Sequence, residues 1–548
     1  MLNQQYNSDG CVSMDFIRSE ADRIVNDENT TTQDKTDSFN CCPSCDDLEA
    51  TEAGPDAAIK DGRYIKFDSA FVMKCLRENV MGDARMFVEI YRGWFIYDHS
   101  GQLWYFWDGQ YWKVDLTNRV MRAVQRCVKI YLLECNRLSL KINSARVDKK
   151  SDSEINRLVQ LERSVRVRIQ ALQTKPRIKD VLELARSGSG PDSLSTDGSE
   201  WNRNEWLFCT PYAVIDLRTG EGNQGKPADM QKTCSPVKWL GLNEPDPPIW
   251  TKFTNEIFDG DQELISFIQR LVGYFISGKI NEEVFIILLG TGRNGKTKFI
   301  EAIKGIMGDY SGTMEIETLI EQKNSGSAGG PRSDKLALMG KRFMTCSESE
   351  DGHRLSASMV KCLTGGDRIC ARATFGRFPV EFDPTHKMAL LSNFEPKIYS
   401  NDPAIRARIL EIPFNIFFTD DPKLKHERQK DRDISEKLKA EYSGILSWMV
   451  RGCIEWQRIG LQPPDVVRAA TEEYLVKNDM LADFIKSCCR LTGETQARII
   501  YDAYSLYCSE AGINSICMNK FTEQMLVKFD RYSKNKKKFY IGISLSSD

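Results

Sequence analysis

Several things are missing from this 548-residue chain, and each absence closes off a class of protein. No apolar run approaches the roughly 18 residues that a membrane-spanning helix needs. The opening MLNQQYNSDG lacks the basic-then-apolar pattern of a secretory signal. Both absences give the expectation of a cytosolic protein (the cytosol of a host cell), neither secreted nor embedded in a membrane. The 17 cysteines show no spacing that reads as a disulfide framework. Most are expected inside apolar segments, as at Cys127, Cys135, Cys346, Cys370 and Cys453, where a free thiol behaves as a small hydrophobe. Cys41, Cys42 and Cys45 have the local spacing of half a zinc site, with Cys11 as a further ligand. No second C-x-x-C or spaced histidine pair completes it, and a thiol cluster is the reading preferred to zinc.

What is present describes an ordinary folded protein. Apolar residues make up 41% and charged residues 28%, and the length suits about three domains. The net charge of −2 hides an asymmetry: residues 1–60 hold 13 acidic and four basic side chains, so the remainder is at +7. An acidic, disordered tail over 1–62 is expected, with one short helix near Met14–Val25. The mildly basic body is compatible with nucleic acid.

Order is expected from Arg63. Trp94, Trp104, Trp107 and Trp112 surround an Asp108-Gly109 hairpin turn. A β-meander with its own aromatic core is favoured there over a stacking platform for single-stranded bases. Helical spacing follows at Asn118–Lys141 and Lys149–Ala185, then a flexible linker over 187–198 and a strand at 212–217. An amphipathic helix is expected over 262–277.

The strongest signal is Gly290-Thr291-Gly292-Arg293-Asn294-Gly295-Lys296-Thr297, a complete G-x-x-x-x-G-K-T loop. The apolar run Val284–Leu289 precedes it and a helix-like stretch, Lys298–Met307, follows. In that setting backbone N–H groups around Gly290, Gly292, Asn294 and Gly295 surround phosphate oxygens. Lys296 reaches the β- and γ-phosphates, and the Thr297 hydroxyl ligates Mg²⁺. Binding and hydrolysis of a nucleoside triphosphate, ATP, is the reading.

Further pieces follow in order. A strand over 341–347 ends at Glu348 and Glu350, placed to hold Mg²⁺ and orient water, with Glu348 first. A second strand over 386–392 ends at Asn393, whose amide can bond a γ-phosphate without adding negative charge. Arg406 and Arg408 come next and can serve a neighbouring subunit's phosphate as an arginine finger, with a salt-bridged role as the alternative. Between the two strands a hairpin carries Arg368, Arg372 and Arg377, with Phe375 near its tip; DNA contact and a plain surface hairpin are both open readings.

Taken in order, the phosphate loop, the acid-ended strand, Thr364-Gly365-Gly366-Asp367, the Asn-ended strand and the run from Ala404 to Phe414 resemble a superfamily-3 helicase. The likeness is greatest to the helicase portion of the phage/plasmid and poxvirus-type primase-helicase family. Residues 104–115 and 214–221 resemble that family's helicase-preceding domain, and Tyr504, Tyr507, Gly512 and Phe521 its closing winged helix. The resemblance implies an α/β P-loop NTPase core, AAA+-like, with a mainly α N-terminal domain and a C-terminal winged-helix domain. The expected segments are a tail over 1–62, a helicase-preceding domain over 63–240, an ATPase with helical collar over 241–455 and a DNA-binding module over 456–548.

It further implies Lys296 and Thr297 for ATP and Mg²⁺, Glu348 at the acidic position, Asn393 as sensor and Arg408 as the better match for the finger. Ala407 departs from the family's paired arginines, leaving Arg406 in contention. The implied assembly is a homo-oligomer, usually a hexamer, moving 3′-to-5′ on one strand and unwinding duplex DNA. Lys536, Lys537 and Lys538 would touch DNA from the winged helix, the hairpin with Arg372, Phe375 and Arg377 from the channel. Primase activity is not expected of this chain, and a separate primase or polymerase is a possible partner. An origin-melting initiator and an ATP-switched scaffold are the competing readings.

Overall fold

A computed structural model describes residues 67–546 except Ser189, 322–332, 348–353, 373–378, 399–401, Asn478 and 511–514. The expected acidic tail, the Cys11, Cys41, Cys42 and Cys45 cluster, Glu348, Glu350, Phe375 and Arg377 therefore lie outside the described residues. None of the described helices is long and apolar enough to cross a membrane. The chain forms two compact units. The first holds the described residues up to Arg203 together with Gln224–Thr233; the second holds Asn204–Asn223 and everything from Cys234 onward.

In the first unit, α1 (Ser69–Arg77) starts at Asp68, whose carboxylate accepts from the Phe71 N–H at 2.6 Å. Then come α2 (Val80–Tyr91), strands β1 (Phe95–Asp98), β2 (Leu103–Trp107) and β3 (Trp112–Val114), and α3 (Arg119–Ala123). Two long helices, α4 (Gln125–Val147) and α5 (Asp152–Leu172), form a hairpin that α6 (Lys175–Ala185) follows. Their apolar faces share one core with α2, including Phe87, Tyr131, Val165 and Leu172. Asp83, fully buried on α2, pins three helices by bonding Tyr131 Oη at 2.9 Å, Arg168 at 2.8 Å and Arg177 at 2.5 Å.

The meander is present, with Trp107 paired to Trp112 across the turn at Gly109. Its Tyr105, Trp107 and Trp112 pack with Trp201 into a small aromatic core. These rings stack on one another rather than standing out as a platform. The stretch expected to be a linker is instead part of this sheet: β4 (Ser195–Thr196) pairs parallel with β1, and Leu194 and Thr196 are buried. Glycine and serine there mark tight turns around a short strand.

The second unit begins with the meander β5 (Leu207–Cys209), β6 (Val214–Asp216) and β7 (Glu221–Asn223). After α7 (Pro248–Ile257) comes α8 (Gln262–Ile276), started by Asp261, which accepts from the Leu264 N–H at 3.0 Å. The central sheet is parallel, ordered β14-β8-β13-β10-β9, from β8 (Phe285–Leu289), β9 (Ser311–Thr313), β10 (Phe343–Ser347), β13 (Lys387–Ser392) and β14 (Ile409–Pro413). Phe285–Leu288, Phe343–Cys346 and Lys387–Leu390 are buried throughout, as a parallel sheet covered on both faces requires. The hairpin β11 (Ile369–Ala371) and β12 (Val380–Phe382) leaves the sheet layer between β10 and β13. Cys370 is exposed, not buried as expected, because alternation turns Ile369 and Ala371 inward and Cys370 outward.

Helix α9 (Lys296–Met307) follows β8, α10 (Ala357–Thr364) precedes β11, and α11 (Pro403–Arg406) leads into β14. Helix α12 (Tyr442–Ile459) crosses α8 so closely that a Cβ on Gly273 would sit 2.1 Å from the Cys453 nitrogen. Helix α13 (Asp465–Lys477) covers the edge strand β14, with the Glu411 N–H donating to Thr471 Oγ1 at 2.9 Å. A last small core joins α14 (Met480–Cys488), α15 (Ala497–Glu510) and α16 (Met518–Lys528) to β15 (Glu494–Gln496), β16 (Arg531–Lys534) and β17 (Lys537–Ile541). Strands β16 and β17 form a hairpin that turns at Asn535-Lys536, both in the left-handed region.

Two buried cations tie the sheet's amino edge to α8. Arg342 donates to the Ile276 and Leu207 carbonyls at 2.6 Å each, and Lys387 donates to the Ser277 carbonyl. Both meet carbonyls at the end of a helix, where its dipole is negative. Tyr310 and Tyr274 rings lie over them at 4.6 and 4.8 Å.

Candidate functional site

Strand register builds the site. Leu289 lies beside Ser392 of β13 on one side and Pro413 of β14 on the other. The chain therefore leaves β8 at Gly290 between Asn393 and Phe414, at the carboxyl edge of the sheet. Strand connections run in opposite directions on either side of β8, the place where open α/β sheets hold ligands.

The glycines of the loop are needed there for two different reasons. At Gly290 a Cβ would stand 2.2 Å from Asn294 Nδ2 and 2.5 Å from the Phe414 carbonyl, so the backbone passes where no side chain fits. Gly295 has φ +85° and faces Ile257 at 2.6 Å, allowing α9 to start directly at Lys296. Asn294, expected among the phosphate-binding residues, turns its buried side chain inward and donates to the Phe414 carbonyl at 3.3 Å. That side chain braces the loop, leaving its backbone N–H as the part open to phosphate. A further brace runs from the Phe418 N–H to the Arg293 carbonyl at 2.7 Å.

Lys296 is 4% exposed and meets no carboxylate. Its ammonium donates to the Gly290 carbonyl at 2.5 Å, the Ser392 carbonyl at 2.8 Å and Asn393 Oδ1 at 3.1 Å. Burial pushes its pKa down to about 8. An incompletely neutralised cation under a glycine-built loop at a helix N-terminus fits a phosphate chain. Thr297, exposed in the first turn of α9, is placed to offer a hydroxyl to Mg²⁺. Among the described residues no group of three or more His, Cys, Asp or Glu side chains is arranged to hold a metal. Strand β10 ends at the same edge, Ser347 level with Leu391, just before the undescribed Glu348. A cavity of about 300 Å³ beside the loop is lined by Gly290, Thr291, Phe414–Phe417 and His426.

Sequence reasoning joined Lys296 to Asn393 only through their motifs; the sheet brings them into contact. Arg406 and Arg408 are elsewhere. Register puts Arg408 beside the start of β8, its carbonyl accepting from the Phe285 N–H at 2.7 Å. That is the amino edge, about 13 Å of strand away from the loop. Arg408 is tied to Glu283 and donates to the Ala404 carbonyl at 3.2 Å, whereas Arg406 has one ion pair, to Glu472 at 3.5 Å. Glu283 carried no signal in the sequence that would have named it as this partner.

The hairpin β11–β12 holds Arg368, paired with Asp383 at 3.2 Å, and the half-buried Arg372. In the C-terminal module Lys536, Lys537 and Lys538 are exposed at the turn of β16–β17. This turn is separate from the nucleotide loop in sequence and core.

Comparison with known proteins adds a family to this geometry. Residues 84–259 match the family described as D5 N terminal like. A protein named a putative helicase in Acanthamoeba polyphaga mimivirus is 30% identical over 297 residues, 52% of this chain and 30% of that protein. Similarly named proteins of Frog virus 3 (25% over 312 residues) and Invertebrate iridescent virus 6 (23% over 365 residues) also match. The chain is a relative of viral D5-like helicases. It spans about a third of the length of the curated relatives it matches. Two solved apo structures of the NrS-1 C-terminal region resemble it at TM-scores of 0.33 and 0.36, with 12% and 13% identity. They cover 66% and 67% of this chain and 89% of each of those. The superfamily-3 resemblance drawn from the motifs and the relatives found by sequence agree.

Proposed function

We propose that this chain is an ATP-driven DNA helicase that works as a ring of identical subunits, six in number, in the replication of a virus or other mobile element. One observation carries the reading: the phosphate-loop lysine and the strand-end asparagine are 3.1 Å apart on neighbouring parallel strands. Lys296 then neutralises charge between the β- and γ-phosphates while Asn393 orients the attacking water or the γ-oxygens. Mg²⁺, when bound by Thr297 and an acid after β10 such as Glu348 or Glu350, supplies the remaining charge neutralisation.

An arginine is still required on the far side of the γ-phosphate, and neither candidate can reach its own loop from the amino edge. A neighbouring copy must present it, which makes turnover depend on assembly. Arg406, held by one long contact to an exposed carboxylate, is released at lower cost than Arg408. The β11–β12 hairpin with Arg372, Phe375 and Arg377 would track one DNA strand. The C-terminal helices with the β16–β17 hairpin would act as a winged helix gripping duplex through Lys536, Lys537 and Lys538.

A forked-duplex unwinding assay tests this, with Lys296→Ala as control. Unwinding by the parent chain and none by the variant is the expected result. Hydrolysis without strand separation would favour the scaffold reading, and local melting of one duplex site alone the initiator. In mixing experiments, Lys296→Ala subunits should restore hydrolysis to Arg406→Ala or Arg408→Ala subunits, whichever is the finger. No rescue by either arginine variant would refute the in-trans arrangement.

A further inference from the structure

The helical hairpin of the first unit carries charge that its fold does not use. Residues 119–186 hold 17 Lys and Arg against seven Asp and Glu, in a chain whose net charge is −2. Along Gln125–Val147 and Ile155–Leu172 the only acids are Glu134 and Glu162. Both turn inward. Glu134 is 1% exposed and bonds Ser69; Glu162 accepts from Ser139 at 2.6 Å and Arg166 at 2.7 Å. The other large consumers of positive charge, Arg168 and Arg177, are spent on Asp83.

The outward faces of α4 and α5 are thus free of acids, and Lys141, Arg146, Arg157 and Arg163 are exposed along them. Acids return only at the connection, as Asp148, Asp152 and Glu154, where Lys149 and Lys150 accompany them.

We infer that this hairpin is a second nucleic-acid contact, binding the phosphate backbone without reading sequence. A 23-residue helix is about 35 Å long, the span of roughly ten base pairs. A bilayer surface suits such helices less well. The exposed aliphatics on α4 are Leu133, Leu140 and Val147, spaced two turns (about 10 Å) apart with Arg137 and Lys141 between them. They make no continuous apolar strip.

The inference does not rest on nucleotide turnover, so it is tested in the full chain without nucleotide and again in the Lys296→Ala background. The variant is Lys141→Gln with Arg157→Gln and Arg163→Gln, three exposed positions whose loss should leave thermal unfolding and basal hydrolysis unchanged. Binding to a labelled single strand and to a duplex is followed against salt. The slope of log affinity on log salt should shrink by about 2 for the single strand and nearer 3 for duplex, with affinity down tenfold or more at 0.1 M salt. The polymer with the larger change is the natural partner. Unchanged affinity and slope on both, in a folded variant, would overturn the inference. So would loss of binding to anionic phospholipid vesicles, or to a synthetic peptide of residues 1–60, with DNA binding intact.

Discussion

Lys296 should make nucleotide binding depend on pH in a range where few lysines respond. Its ammonium is buried against two carbonyls and an amide, and desolvation lowers its pKa from 10.5 to about 8. Phosphate binding selects the charged form and pulls the pKa back up. With the free value near 8, about nine-tenths of the molecules carry the charge at pH 7 and about one-tenth at pH 9. Affinity for ATP should therefore fall about tenfold between those pH values, a change of about 1.4 kcal/mol. Binding at pH 9 should take up nearly one proton, and at pH 7 almost none. Calorimetric titration in two buffers of different ionisation enthalpy measures that proton directly. In stability the sign is opposite to that of a paired lysine: a folded pKa below the unfolded one costs stability below about pH 8, and the cost fades as pH rises toward 10.5. Lys296→Met should accordingly stabilise the free protein at pH 7 by about 1–3 kcal/mol while abolishing tight ATP binding. Equal affinity at pH 7 and 9 with no proton uptake, or a destabilised methionine variant, would refute the reasoning.

Asn393→Ala should cut the maximal hydrolysis rate by about 10²–10³ while moving ATP affinity less than about threefold, because its amide serves charge that develops in turnover; steady-state kinetics would separate the two. Glu411 is buried on β14, and burial, with Glu395 adding to it, lifts its pKa to about 7. A raised carboxyl costs stability as pH climbs through the interval from 4.5 to 7, so Glu411→Gln should stabilise by about 1–3 kcal/mol at pH 8 and by little at pH 4, read from denaturant melts. Asp83→Asn strands two largely buried guanidinium groups, Arg168 and Arg177, and should cost about 3–5 kcal/mol in the first unit. Thermal unfolding of the full chain would register it, and a loss under 1 kcal/mol would contradict the pinning role.

Local patterns in the sequence reached far into this fold. The loop, its flanking strand and helix, and the strands before Glu348 and Asn393 were legible because each is a short apolar run with its chemistry at the end. The long helices of the first unit were legible for the same reason, through spacing. Features set by distant partners were not. Arg342 and Lys387 stand where strands begin, a position that reads as solvent-facing; they are buried because α8, 66 and 110 residues earlier, ends its carbonyls there. The β4 strand hid in a Gly- and Ser-rich stretch because its pairing with β1 spans about a hundred residues. Helix α13 looked like the start of the C-terminal module, yet its Thr471 and Tyr474 bond the Glu411 N–H and the Pro396 carbonyl of the central unit. No period in the sequence tells a helix which sheet edge it will cover.

The sheet also explains why the site divides as it does. A parallel strand has a reactive end and a quiet end, and β8 puts the phosphate loop at one and the Arg408 carbonyl at the other. Lys296 and Asn393 can be preorganised within a subunit because β8 and β13 are neighbours, and the three bonds at the ammonium are made before any ligand arrives. The arginines cannot be added to that set by adjusting side chains, since about 13 Å of strand intervenes and a guanidinium reaches only part of it. Moving them would require a different strand order. A fold with this order gains tight control in exchange: a solitary subunit holds nucleotide with its lysine and asparagine in place, and lacks the group worth 10³–10⁵ in rate that only an adjacent copy supplies. Separation along one strand is thereby enough to couple hydrolysis to assembly.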